Sequence, residues 1–303
     1  MSRATEMTAD ARVGAAGRVV VHTDLGTMQR IRAIARLEWA DVRRSRWLVM
    51  SSALYLALAL LVAGIGLRES EVLGFTGMGR VLASFSQALV LLLPLLALTG
   101  TALVVGRARE SGALEFLLSQ PAAREDYFAA ITIVRTAALG LPLVALFAAI
   151  AFVSGVVLGQ PVPWAFLARA LAVSAALLWA SVGLGLAMST TVRDSSRAIV
   201  YVLLAWATGA AVLDFALIGS MLAWSIPIPT VVTLAMANPV EAARLALLAG
   251  SDGSLDTLGP VGVFLVLRMG ADWLTVAGVT WPVVFGTVLW GIARRRFARA
   301  EVI

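Results

Sequence analysis

Six separate stretches of this chain are each apolar for about 20 residues or more, and that repetition restricts the fold more than any other feature. Bilayer hydrocarbon is about 30 Å thick, so a helix rising about 1.5 Å per residue needs about 20 apolar residues to cross it. The stretches are 47–67, 81–106, 127–158, 167–190, 198–222 and 273–293. Lipid cannot satisfy backbone N–H and C=O groups, so such stretches cross as helices. The alternating pattern of a membrane β-barrel is absent. The expected architecture is therefore an all-α integral membrane protein with six transmembrane helices.

Composition agrees. Of 303 residues, 60% are hydrophobic and only 14% charged, with a mean hydropathy of +0.91. A soluble enzyme, a disordered chain or a nucleic-acid module fits this poorly, despite the net charge of +6. There is no Cys, so disulfides, thiolate metal sites and Cys nucleophiles are excluded. All 24 basic residues are Arg. Without Lys the chain cannot carry a P-loop, whose Lys reaches the terminal phosphates of ATP, or a Schiff-base Lys.

The arginines set the expected orientation. With both termini on one side, nineteen of the 24 fall on that side, which the positive-inside bias identifies as cytoplasmic. Trp164, Trp224 and Trp273 then fall near the outer interface, and Trp47 and Trp290 near the inner one. Residues 1–28 read as a poorly ordered cytoplasmic tail without the apolar core of a signal peptide. Residues 29–46 place Ile31, Ile34 and Leu37 at helical spacing among arginines, which predicts an amphipathic helix on the inner leaflet leading into the first span.

Residues 223–272 are apolar but do not make a seventh span. Pro227, Pro229, Asn238, Pro239, Glu241 and Arg244 interrupt 226–250, and each charge at a bilayer centre costs about 2.5–3.5 kcal/mol. The segment is expected at the outer surface as interfacial or re-entrant helices. Within it Asn238 can cap a helix, Pro239 suits the first position, and Glu241 stands where a capping-box acid belongs. Arg244 follows Glu241 on the same face. Such a helix either packs on the outer ends of the bundle or docks a partner outside the membrane; composition favours the first.

Between the second and third spans the sequence reads RARESGALEFLLSQPAARED. Ser111 and Gly112 break the preceding helix, Leu114, Leu117 and Leu118 form a short apolar stripe, and Pro121 stops it. A short helix held between two spans is either an interfacial turn or a lever that a cytoplasmic partner pushes. Periodicity alone does not decide between them.

Here the chain resembles the ABC-2 type permeases, whose coupling loop follows the loose pattern E-x-G-x-L-E-x-L-L-x-x-P-x-x-R. The matching residues are Glu110, Gly112, Leu114, Glu115, Leu117, Leu118, Pro121 and Arg124. The later loop STTVRDSSRA, with Arg193 and Asp194, is similar to that family's second cytoplasmic loop. The resemblance covers 29–303 as one permease domain of the type V exporter-like architecture and leaves residues 1–28 without an account. Within the superfamily, VLDFALIG around Asp214 and ANPVEAARL at 237–245 resemble the NosY-type permeases.

The resemblance implies a plasma (inner) membrane protein of a bacterium or archaeon that is itself no enzyme and binds no cofactor. Two copies of it would join a NosF-like cytoplasmic ATPase, which holds ATP and Mg, and a NosD-like periplasmic β-helical protein. The complex would support maturation of the copper centres of nitrous oxide reductase. Asn238, Pro239, Glu241 and Arg244 would then be candidates for docking the periplasmic partner, and the two loops for coupling to the ATPase.

The residues speak against a copper relay through the spans. Copper(I) prefers sulfur and copper(II) imidazole. The single His22 lies in the tail, and Met188, Met221, Met236 and Met269 are far apart in sequence. Asp214 is the main acid within a span, about 24 Å along its helix from residue 198, near the outer interface. A proton relay would need a second acid at that depth, and the sequence offers none. Arg135 reads as a snorkelling interfacial residue. Gly183 and Gly185 would permit close helix contact. Export of a lipid, drug or polysaccharide, and passive anchoring of a periplasmic protein, are the competing functions.

Overall fold

The computed structural model describes residues 26–73, 76–119, 123–157, 159, 161–192, 194–224, 226–249, 265 and 268–299. Every regular element among them is helical. An N-terminal helix α1 (Thr27–Arg44) precedes α2 (Arg46–Leu73), which contains the first expected span. The second is α3 (Thr76–Thr101), continued after a two-residue turn by α4 (Val104–Glu110). A short α5 (Ala113–Leu118) leads to α6 (Arg124–Phe152), the third span, which ends in a π turn, Val153–Val157. The fourth is α7 (Trp164–Thr191). The fifth is α8 (Ser195–Ala207), a π turn (Thr208–Val212) and α9 (Leu213–Trp224). Two short helices, α10 (Ile228–Ala237) and α11 (Pro239–Ala249), come before the last span, α12 (Gly270–Arg299).

Spans two to six are each long and apolar enough to cross a bilayer over their described residues. In α2, residues 47–67 carry no charge, and its 28 residues give a length of about 42 Å. All six stretches named from the sequence are therefore helices. Pro94, Pro142 and Pro282 lie inside α3, α6 and α12 without ending them, as neighbouring helices in a membrane bundle permit.

The fourth and sixth spans form the centre. Gly183 of α7 sits directly on Gly286 of α12, where a Cβ on either would overlap the other helix's backbone. A Cβ on Gly185 would overlap the Thr101 side chain at the break between α3 and α4. That break leaves the N–H of Val105 without a partner in its own helix, and the buried Ser189 Oγ of α7 accepts it at 2.9 Å. The two glycines were read as a contact surface, and here each has a partner. Indole N–H groups pin further crossings: Trp179 Nε1 donates to Thr287 Oγ1 at 3.0 Å, and Trp290 Nε1 to Thr132 Oγ1 at 3.1 Å.

Four expectations change. Trp290 and Trp47 do not face out as an interfacial belt. Trp290 stacks near Phe128 and Trp179, and the Trp47 ring lies over Gly100. Trp164, Trp224 and Trp273 are exposed. Helix α1 is amphipathic, but its apolar face is covered by protein: Ile34 and Val42 are buried, and Val42 packs on Val134 and Ala138 of α6. Leu37, assigned to the same face, is exposed. Two ion pairs hold α1 there, Arg30 Nε to Asp126 Oδ2 at 2.7 Å and Arg135 Nη2 to Glu38 Oε2 at 3.6 Å. Arg135 thus lies under α1 instead of snorkelling.

The fourth change concerns α10 and α11, which form a hairpin bent by 113°. Eight of the 11 residues of α11 are buried, and Gly278 of α12 lies so close that its Cβ would meet Ala242 O at 2.8 Å. Helix α11 packs inside the bundle instead of on its outer ends; of the outer segment, residues 225, 250–264, 266 and 267 lie outside the described residues. Residues 1–25, with His22, also lie outside them.

Candidate functional site

One end of the bundle carries α5. Gly112 takes φ +71°, a left-handed conformation that turns the chain between α4 and α5 and that a side chain would strain. Leu114 is 2% exposed, and Leu117 is partly buried against the main core. The leucine stripe therefore seats α5 on the bundle. Its free face is Glu115 and Phe116, the latter 68% exposed. Phe116 was not singled out in the sequence because it stands at an x position of the loop pattern. The side chain of Leu118, and Pro121 and Arg193, lie outside the described residues.

Glu110 ties this loop to the next one. Its Oε1 accepts the backbone N–H of Ser195 at 3.1 Å, at the first turn of α8. Asp194 caps the same helix, accepting the N–H of Ser196 at 2.8 Å, with Arg197 at 3.7 Å from its other oxygen. The end of α12 joins them: Arg296 donates to Thr191 Oγ1 at 2.9 Å, and Arg294 to Glu125 Oε2 at 2.7 Å beside Arg124. Glu110 and Asp194 thus organise the start of the fifth span, while Glu115 and Phe116 remain free to meet another molecule.

The second constellation lies along the fifth span, about 28 Å from Ser195 by helical rise. Arg244 of α11 donates through Nη1 to Asp214 Oδ2 of α9 and pairs with Glu241 Oε1 at 2.6 Å. The carboxyl groups of Glu241 and Asp214 lie side by side on Arg244. Asn238 is 7% exposed; its Oδ1 accepts the N–H of Val240 at 3.0 Å, and its Nδ2 donates to Gly209 O at 2.7 Å. Arg244 Nη2 reaches Ala210 O at 3.3 Å.

The helix start at Asn238 and Pro239 is as the sequence indicates. The capping-box role of Glu241 is not. The N–H of Asn238 goes to Ala235 O, and the Glu241 carboxylate faces Asp214 and Arg244. Asp214 therefore has a second acid beside it, supplied by the bent hairpin, which no linear spacing reveals. Asn238, Glu241 and Arg244 point into the bundle rather than away from it.

A cavity of about 1320 Å³ runs between α3, α7, the fifth span, the hairpin and α12. Its walls are mainly apolar, with Arg197 and Arg296 towards the α5 end and Asn238 and Glu241 towards the other. Met236 and Met269, distant in sequence, line a second, smaller cavity with Trp281. Among the described residues no group of three or more His, Asp or Glu is placed to hold a metal ion.

Comparison with known proteins gives the family. Residues 32–302 match the family described as "ABC-2 family transporter protein". The chain is 31% identical over 270 residues to a Stutzerimonas stutzeri protein described as "Probable ABC transporter permease protein NosY", covering 84% of this chain and 92% of that protein. A Pseudomonas aeruginosa protein of the same description is 35% identical over 91 residues, which is 30% of this chain and 33% of that protein. With its buried helical crossings, its loop helix seated by Leu114 and these matches over most of its length, the chain belongs to the ABC-2 transporter family, as a permease subunit homologous to NosY.

Proposed function

We propose that this permease relays the work of a separate cytoplasmic ATPase to a periplasmic partner, in the maturation of the copper centres of nitrous oxide reductase. The functional unit is a homodimer in the bacterial or archaeal plasma membrane, with both termini cytoplasmic. A NosF-like ATPase binds ATP and Mg and presses on α5. A NosD-like β-helical protein meets the opposite side. The permease holds no cofactor and performs no chemistry.

The observation that carries this reading is the construction of α5. Its apolar stripe is buried while Glu115 and Phe116 stand free, and Glu110 links the loop to the fifth span. An exposed aromatic beside an acid is a suitable anchor for a partner protein. The similarity to the NosY proteins supports the pathway.

The test is the double variant Glu115→Arg, Phe116→Asp. Both side chains are exposed, so the permease should keep its thermal midpoint. The ATPase should no longer co-purify, and the reductase should emerge copper-deficient. Retained ATPase binding with full maturation would eliminate the relay and leave passive anchoring. The apolar cavity favours one second reading, export of a lipid or drug-like amphiphile. ATP-dependent movement of a labelled amphiphile in vesicles, together with normal reductase copper content in a deletion strain, would favour it.

A further inference from the structure

We propose that the π turn of the fifth span is a joint clamped by the re-entrant helix, with Asn238, Arg244 and Asp214 as positioning residues that make the far segment follow movement at α5. This rests on the relay reading above and names where the relay passes.

A π turn carries its hydrogen bonds from i to i+5 and lodges an extra residue in the helix. It leaves carbonyl groups imperfectly paired, and side chains inserted there mark bends. In Thr208–Val212 two such carbonyls are taken by α11: Gly209 O by Asn238 and Ala210 O by Arg244. Arg244 also grips Asp214 on the following turn. Two bonds from the start and second turn of α11 thus fall on the irregular turn of this span, and a third on the turn after it. Asn238 performs two tasks, because its Nδ2 donates to Gly209 O while its Oδ1 accepts the N–H of Val240 and starts α11. Helix α11 cannot yield independently, since Ala242 and Ala246 lie against Gly278 of α12.

The start of the same span is held by Glu110 at Ser195. Between these points Trp206 Nε1 donates to Leu91 O at 2.9 Å, and much of the apolar surface of α8, including Val200, Leu203 and Leu204, is exposed. The first half of the fifth span, from Ser195 to the π turn, is therefore a rod fixed at both of its ends and lightly held between them. Displacement at Glu110 is carried along the rod, and the clamp decides whether α11 moves with it. A contiguous set of bonds makes such coupling possible, and only a measured response demonstrates it.

The test uses the full complex with its ATPase in lipid nanodiscs. An environment-sensitive dye is placed by ketone chemistry on an unnatural residue at Ser119, beside α5, or at Thr233 of α10, both exposed. Because the chain has no Cys, the pair Gly209→Cys, Asn238→Cys can replace the clamp by a reducible bond. A Cβ at Gly209 would stand 3.9 Å from Asn238 Oδ1. ATP with vanadate should change the signal at both positions in the parent and in the oxidised pair. In the reduced pair the change at 119 should persist and that at 233 should be lost. Asn238→Ala should behave as the reduced pair, and it supplies the same reading if the double variant does not fold. An unaltered response at 233 in Asn238→Ala or in the reduced pair overturns the clamp, as does a parent that responds at 119 alone. A parent that responds at neither position sinks the relay itself.

Discussion

Gly183 and Gly286 lie face to face where α7 crosses α12, and neither helix has room there for a single added carbon. Gly286→Val should therefore destabilise the bundle by about 1–3 kcal/mol, the usual cost of overpacking. Gly291, one helical turn or so further along α12, has nothing within 4 Å of its would-be Cβ. Gly291→Val should leave the thermal midpoint in detergent nearly unchanged, and equal midpoints for the two variants would contradict the crossing.

Helix α1 is held to α6 by Arg30 and the buried Asp126. Asp126→Asn removes a charge-assisted bond, and the loss should be about 1–2 kcal/mol because Arg30 is partly in water. The effect should be local. Trypsin, which in a chain without Lys cuts only after Arg, should cleave at Arg32 and Arg36 several-fold faster while the core resists.

Burial pushes the Glu38 carboxyl above its ordinary value, opposed by Arg135 and assisted by Asp41, with a hydrogen bond from Tyr127 that lowers it. The folded protein then keeps a proton that the unfolded chain has already released. The Glu38 contribution to stability should be fully present below the ordinary carboxylate range and be lost as pH rises through it to the raised value. Glu38→Gln should flatten this part of the profile of thermal midpoint against pH. An unchanged slope would show that Glu38 does not govern it.

Gly112 holds a left-handed φ at the entry to α5. Gly112→Ala should strain that turn by about 1–2 kcal/mol. If α5 is the ATPase contact, its displacement should weaken co-purification of the ATPase more than it lowers the permease's own midpoint. Ser111→Ala, next to it in ordinary helical geometry, is the control.

What the sequence reveals here divides by range. Span positions, the helix over 239–249 and the break at Ser111 and Gly112 are legible because each depends on a local run, a cap or a turn residue. The partners of Asp214, Arg135 and Met236 are not, because each is brought by a remote element: a hairpin bent by 113°, the N-terminal helix, and the turn before α12. The loop pattern selected the leucines of α5, yet Leu114 serves packing, and Phe116, which the pattern ignores, is the exposed side chain.

The burial of α11 also orders biogenesis. This helix leaves the ribosome after the fifth span and before the sixth, but its snug seat requires Gly278 from the last helix. Until α12 is synthesised, Glu241 and Arg244 sit on a half-covered hairpin whose apolar side lacks its chief neighbour. Polypeptides truncated before residue 278 should consequently be recognised by membrane proteases as immature, even though five of their crossings are already made.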